Sequence, residues 1–175
     1  MSADASCRLR RADPGVDGEV AAALMVEYLT WGNQRLRDEY GVVEPPADPS
    51  LEREHLGAYK PPAGVLLIAE CDGDPAGVGA LRMLSAGVAE VKRMYVVPRW
   101  RDRHVGSALL DALLDEARAR RANLVRLDTC RFMTDAQRLY RSRGFTERPP
   151  YEGTEIPERL RQYWIFFERR LDNLT

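Results

Sequence analysis

The stretch that decides the fold is Val91–Ala108, VKRMYVVPRWRDRHVGSA. An apolar run stops at Pro98, a turn crowded with Arg99, Arg101 and Arg103 follows, and an amphipathic segment opens around His104–Val105. This reads as a strand, a basic turn and the start of a helix. A helix opening leaves about four N–H groups without partners and carries roughly half a positive charge. Gly106 lets an anion come close to the backbone, Ser107 adds a hydroxyl, and the arginines upstream add positive charge. Together they form a cradle suited to a diphosphate. Neither the GxxxxGK[ST] loop nor the GxGxxG fingerprint is present. On spacing alone, a solvated basic turn with Gly106 packed on a sheet fits equally well.

Upstream, Val65–Cys71, Ala76–Leu84 and Ala89–Val97 read as three strands, joined by turns at Asp72–Pro75 and Ser85–Val88. That is an antiparallel meander. Before it, Ser6–Asp13 reads as a first strand. Gly18–Tyr40 carries Val20, Leu24, Tyr28, Trp31 and Leu36 near helical spacing, with a break expected at Gly32. Gly41–Pro49 is an irregular, Pro-rich loop, and Ser50–Tyr59 a short helix with Ser50 as its N-cap. Downstream come a helix over Val105–Arg121, a strand over Asn123–Cys130 and a helix over Thr134–Arg143. Thr134 is the expected cap of that last helix and Gly144 follows its end. A strand starts at Phe145, and Gln162–Arg169 is a terminal strand. Hairpins and a right-handed strand–helix–strand crossover occur together, so the expectation is one α/β domain with a mixed, mostly antiparallel sheet.

Composition narrows the function classes. The 175 residues carry 26 basic and 27 acidic side chains, a net charge of −1. This argues against a nucleic-acid binder working through Arg99–Arg103. No apolar run reaches the roughly 18 residues of a membrane span, and MSADASCRLRRADPG lacks the apolar stretch of a signal peptide. A soluble, cytoplasmic protein without membrane partners is therefore expected. Cys7, Cys71 and Cys130 are odd in number and widely spaced, so three reduced thiols are expected. With only His55 and His104 as histidines, no metal site is expected. No GxSxG nucleophile motif is present.

Two motifs resemble the GCN5-related N-acetyltransferase (GNAT) superfamily. Its [Q/R]-x-x-G-x-[G/A] signature matches Arg101-Asp102-Arg103-His104-Val105-Gly106, and A-x-x-L-Y-x-x-x-G-F matches Ala136–Phe145 at each fixed position. There are two departures: His104 replaces the first glycine, and Met133 stands where an asparagine is frequent. The resemblance covers nearly the whole chain. It implies a single N-acetyltransferase domain over 1–175, with a core of roughly 6–170 and a sheet splayed at its fourth strand. It also implies acetyl-CoA as co-substrate, without metal. Carried onto this chain, the diphosphate donors are the N–H groups of His104, Val105, Gly106, Ser107 and Ala108, flanked by Arg101 and Arg103. The pantetheine arm pairs with Met94, Tyr95 and Val96. Arg143 is a candidate for the adenosine phosphate.

The resemblance also assigns chemistry. Tyr140 matches the tyrosine that faces the CoA sulfur, where a phenol can protonate the leaving thiolate. Glu90, in Ala89-Glu90-Val91, matches a general-base glutamate. An amine of pKa about 10.4 needs such a base, since well under 1% is nucleophilic at neutral pH. Period-two alternation places Glu90, Lys92, Met94 and Val96 on one face and Val91, Arg93 and Tyr95 on the other. The implied reaction is direct attack by a primary amine, small molecule or protein, in a ternary complex. Cys130 is not expected to be a nucleophile. Acceptor specificity is expected at Trp31–Glu44 and Tyr151–Arg161. There Asp38, Glu39 and Glu44 could attract a cation, and Trp31, Tyr40, Tyr151 and Trp164 could wall a pocket. The terminal apolar strand, Tyr163–Phe167, is a candidate homodimer contact. The alternative from another class is a non-catalytic acyl-CoA-binding or sensing module that keeps the cradle and lacks proton transfer.

Overall fold

A computed structural model describes residues 6–172. In chain order the elements are β1 (Cys7–Arg11), α1 (Gly18–Tyr40), α2 (Pro49–His55), β2 (Gly64–Cys71), β3 (Asp74–Ser85), β4 (Val88–Val96), α3 (Val105–Ala119), β5 (Leu124–Cys130), α4 (Thr134–Ser142), β6 (Thr146–Arg148) and β7 (Trp164–Arg170). The strands form one seven-stranded sheet, ordered β1-β2-β3-β4-β5-β7-β6. All neighbours run antiparallel except β4 and β5, which are parallel. Alternation along β2 divides the core between the two faces of the sheet. Val65 and Leu67 pack with Leu109, Leu110 and Leu113 of α3, whereas Leu66 and Ile68 pack with Ala21, Leu24 and Met25 of α1. Each such leucine contributes about 1.5–3 kcal/mol of burial, so both helices are fixed to the sheet. Among the described residues, no helix is long and apolar enough to cross a membrane.

Four local expectations are corrected. α1 runs unbroken through Gly32. One glycine costs a helix only about 1 kcal/mol, and the packed residues on either side outweigh that. The cap of α2 is Asp48, whose carboxylate accepts the Ser50 N–H at 2.8 Å, so Ser50 lies inside the helix. Thr134 is the first residue of α4, and Met133 holds the cap position without a side-chain cap bond. Gly144 follows α4 at φ +78°, as expected. The terminal strand β7 is interior, paired with β5 along its length and with β6 on the other side. Phe166 and Phe167 lie in the core, so they are not free for a subunit contact.

The thiols differ from expectation as well. The β1–β2 register sets Cys7 opposite Cys71, and the two form a disulfide. Only Cys130 is a free thiol among the described residues, and it is buried. Spacing in the sequence could not show this, because the pairing exists only once the two strands are in register.

Two irregularities in β4 set up the site. First, β4 pairs with β5 only at Val88, Ala89 and Glu90. Beyond Glu90 the strands part, and the β5-facing edge of Val91–Val96 has no strand partner. The splay expected at the fourth strand is therefore present. Second, Tyr95 opposes Val78 while Lys92 opposes Ala80. Arg93 and Met94 together face Gly79 alone, which is a β-bulge. Arg93 takes φ 55° to make it. A Cβ on Gly79 would come within 3.0 Å of Leu113, so glycine lets α3 lie close over the bulge.

The bulge corrects the expected faces of β4. Ala89 and Val91, and after it Met94 and Val96, pack on the α3 side. Tyr95 packs on the α1 side. Glu90 and Lys92 precede the bulge and lie opposite Ala89 and Val91, so they do not share a face with Met94 and Val96. The extra residue inverts the period-two alternation half-way along the strand.

Candidate active site

The turn after β4 folds as the basic segment required. Pro98–Trp100 makes a single tight helical turn that buries Trp100. His104 then occupies the N-cap of α3 at φ 60°, ψ 10°, a left-handed conformation that glycine adopts more readily. His104 thus reproduces the backbone of the glycine it replaces. The first backbone bond of the helix runs from the Ala108 N–H to the His104 carbonyl at 2.9 Å. Ala108 is therefore not a free donor, which corrects the expected set. The N–H groups of His104, Val105, Gly106 and Ser107 have no acceptor among the described residues. They open onto a cleft of about 760 Å³ between β4, α3 and α4.

Met94, Tyr95, Val96, Arg101, His104, Val105, Gly106, Ser107 and Tyr140 all line this cleft. A Cβ built on Gly106 would lie 3.7 Å from Val96 and 3.8 Å from Leu139, ordinary contact distances. The protein itself thus tolerates a larger residue there, and the space glycine leaves is space in the cleft. An open helix start, ringed by unpaired N–H groups, fits an anionic diphosphate. Arg101 lies across the cleft floor. Its Nε donates to the Val96 carbonyl at 3.1 Å, and its guanidinium sits 5.5 Å from the Trp31 ring. Two expected contacts are placed elsewhere. Arg103 lies over the Trp100 ring at 5.2 Å, and Arg143 forms a bidentate pair with Asp111 at 2.7 and 2.9 Å.

Tyr140 is buried at the cleft wall, edge-on to Phe167 at 5.9 Å. Burial pushes its phenol well above the ordinary tyrosine value, so it stays protonated. Its hydroxyl has no hydrogen-bond partner among the described residues. Cys130, near the same loop, donates its thiol to the Tyr163 carbonyl at 3.2 Å. Burial pushes that thiol up to about 11, so very little thiolate exists at neutral pH.

Glu90 does not line the cleft. It is fully buried, with Oε2 accepting from Arg82 Nε at 2.7 Å and Oε1 from the Tyr151 hydroxyl at 2.8 Å. Lys92 is buried beside it, 3.1 Å from Asp128 and 3.6 Å from Glu155. Burial lowers the Lys92 ammonium, but Asp128, Glu90 and Glu155 outweigh burial and hold it above the usual lysine value. Lys92 therefore remains a cation. Burial raises Tyr151 far above its ordinary value, aided by the Asp128 and Glu90 charges. This network joins β3, β4, β5 and the loop before β7. Its members Arg82, Asp128 and Glu155 escaped the sequence reading, since only the folded sheet brings them together.

Tyr28 and Phe132 also wall the cleft without having been assigned to it, and Met133, noted as a departure from the family pattern, lines it as well. Tyr28 sat in the α1 apolar stripe one turn from Trp31, and that position was the available signal. Of the residues expected to select an acceptor, Trp31 lines the cleft, and Tyr40 stacks on Tyr163 at 4.7 Å. Asp38 and Glu39 are held by Gln34 and Arg35 on the same helix.

Residues 30–145 match the model of the acetyltransferase (GNAT) family. The chain belongs to that family. This GNAT protein is an N-acetyltransferase of the acetyl-CoA-dependent class. It is 37% identical over 106 residues to the IAA acetyltransferase of Azospirillum brasilense, covering 60% of this chain and 67% of that one. The fold matches an acetyltransferase from Streptococcus agalactiae, with a TM-score of 0.74 and 18% identity over 94% of this chain and 98% of that chain. It also matches a PaiA N-acetyltransferase from Thermoplasma acidophilum solved with coenzyme A, with a TM-score of 0.69 and 17% identity over 95% and 99% of the two chains.

Proposed function

We propose that this chain moves an acetyl group from acetyl-CoA to a primary amine by direct attack in a ternary complex. The observation that carries the reading is the cleft itself. Four unpaired N–H groups at the α3 start, an unpaired β4 edge and the buried Tyr140 converge on one space between β4, α3 and α4. In this reading the α3 start and Arg101 hold the diphosphate. The free edge of Met94–Val96 pairs with the pantetheine amides, with Arg101 Nε leaving the Val96 carbonyl as it turns to the phosphates. Backbone N–H groups of the same edge steady the thioester oxygen without reorganising.

The amine nitrogen forms the new C–N bond as the C–S bond breaks. An ammonium gives up two protons in all: one balances the proton gained by the departing sulfur, and the other is released to solvent. Tyr140 donates to the sulfur; burial keeps the phenol protonated until the leaving thiolate draws on it. The amine's proton goes by way of water to the Asp128–Tyr151–Glu90 chain. The Tyr151 hydroxyl links the two carboxylates there, at 2.8 Å from Glu90 and 3.4 Å from Asp128. Glu90 thus acts as the base at one remove. Cys130 has no part, since its thiol is protonated and engaged.

The test is thiol release from acetyl-CoA with a panel of primary amines. Tyr140→Phe should lower kcat by about 100-fold, the lower range for loss of a positioned proton donor, and leave the KM for acetyl-CoA within twofold. Glu90→Gln should lower kcat and leave the KM for acetyl-CoA within twofold. CoA binding without turnover on any amine would replace this reading with the sensing module.

A further inference from the structure

A second, smaller pocket of about 170 Å³ adjoins the donor cleft. Leu29 and Leu36 of α1, Phe132 and Met133 of the loop before α4, and Leu160 and Trp164 near β7 form its walls. It shares Tyr28, Phe132 and Met133 with the large cleft, so the two spaces meet at those side chains. Three of the polar side chains at its rim are engaged with other groups. The Asn33 amide donates to the Pro45 carbonyl at 2.9 Å. Glu44 takes both arms of Arg159, at 2.7 and 3.1 Å. The Cys130 thiol donates to Tyr163. No uncompensated charge is offered to an occupant, and a charged group would lose its hydration there without return.

Size and chemistry together name the occupant. A dry cavity of about 150 Å³ holds one benzene, and this pocket is slightly larger. Met133 makes the divide apolar where the family frequently has asparagine. Its thioether sulfur accepts from the Thr129 hydroxyl at 3.4 Å and from the Tyr28 hydroxyl at 3.8 Å. We infer that the acceptor is a primary amine bearing one uncharged apolar group of about six-membered-ring size, seated in this pocket with its nitrogen directed past Met133 into the donor cleft. The inference rests on the transferase reading above and goes beyond it by naming the acceptor class. Diamines, and amino acids with charged side chains, are excluded as good acceptors. The transfer is the one already balanced: one C–N bond is made and one C–S bond broken, and of the two protons an ammonium loses, one balances the proton that Tyr140 gives to sulfur and one is released.

Gly32 supplies the control. It lines the pocket, an ideal Cβ there meets nothing within 4 Å, and it does not line the donor cleft. Gly32→Leu therefore fills the pocket from a helix position where leucine is the better helix former. The experiment measures equilibrium binding of 2-phenylethylamine and of ethanolamine to the CoA-loaded protein, together with initial rates of acetylation of each. The expected result is about 10- to 100-fold tighter binding of 2-phenylethylamine, the range for burying one apolar side chain, and a similar ratio in kcat/KM. Gly32→Leu should abolish the preference and leave the affinity for CoA unchanged. Equal binding of the two amines, or a preference that survives Gly32→Leu, overturns the inference. Preferential, pocket-dependent binding without turnover of either amine supports the pocket and removes the transferase reading. Turnover of both at equal efficiency does the reverse.

Discussion

Replacing Gly106 by leucine separates the cradle's role in binding from its role in folding. The family signature admits alanine at this position, so a methyl group is compatible with the anion and a longer side chain is needed to exclude it. The Cβ would sit 3.7 Å from Val96 and 3.8 Å from Leu139, and the rest of the side chain can extend into the cleft. Leucine is the better helix former by up to about 1 kcal/mol, which for a chain of this size raises Tm by about 2–4 °C. The side chain, however, stands in the space above the unpaired N–H groups of the α3 start. A diphosphate held off by it loses at least one hydrogen bond to a charged group, worth about 1.5–3 kcal/mol. The Kd for CoA should therefore rise by about 10- to 150-fold while the protein melts at the same or a higher temperature. Titration calorimetry and a thermal melt on the same preparation give both numbers. Dephospho-CoA, which keeps the diphosphate and lacks the 3′-phosphate, should show the same loss. A Kd within threefold of the parent, with Tm unchanged or raised, would refute the placement of the diphosphate at this helix start.

Two further outcomes concern stability. The Cys7–Cys71 disulfide closes a loop of 64 residues, for which chain entropy alone gives about 4 kcal/mol. Urea unfolding should lose up to that amount in Cys7→Ser, and dithiothreitol should destabilise the parent without affecting the variant. Glu116 is held below the usual carboxylate range because its bonds to Arg11 and Arg120, at 2.6 and 2.5 Å, outweigh the burial that raises it. A depressed folded pKa stabilises the fold above the unfolded value, and the contribution is lost as pH falls through the folded value. Glu116→Gln should thus lower stability at pH 7 and make it less sensitive to pH below about 4.5, as urea melts at several pH values would register.

Legibility in the sequence followed the range of the interactions. The Arg101–Gly106 turn and the α4 motif are local, so backbone chemistry reads them directly, and both line the cleft as expected. His104 at φ 60° shows why a departure from the glycine pattern did not mislead: the turn imposes the conformation and the side chain follows it. The bulge at Arg93 was invisible because it occupies no glycine, and Gly79, which accommodates it, lies on the neighbouring strand. The Cys7–Cys71 pair and the Arg82–Glu90–Asp128–Glu155 cluster depend on strand register, which hairpin turns and local spacing alone do not fix. For Arg143 the bidentate partner, Asp111, lies one helix away, so nothing in the α4 motif could indicate it.

The bulge has a functional consequence that regular alternation would not produce. With an unbroken period of two, Glu90 and Lys92 would share a face with Met94 and Val96, and a cluster of charges would be buried against α3. The extra residue sends Glu90 and Lys92 to the α1 side, toward Tyr151 and Asp128, and leaves Met94 and Val96 apolar beneath α3. The strand thereby keeps its apolar side chains under α3 and the buried charges on opposite sides of one backbone. The point where that backbone turns over, between Arg93 and Met94, lies on the parted edge of β4. Parting the strands exposes that edge, and the bulge decides which side chains stand on either side of it.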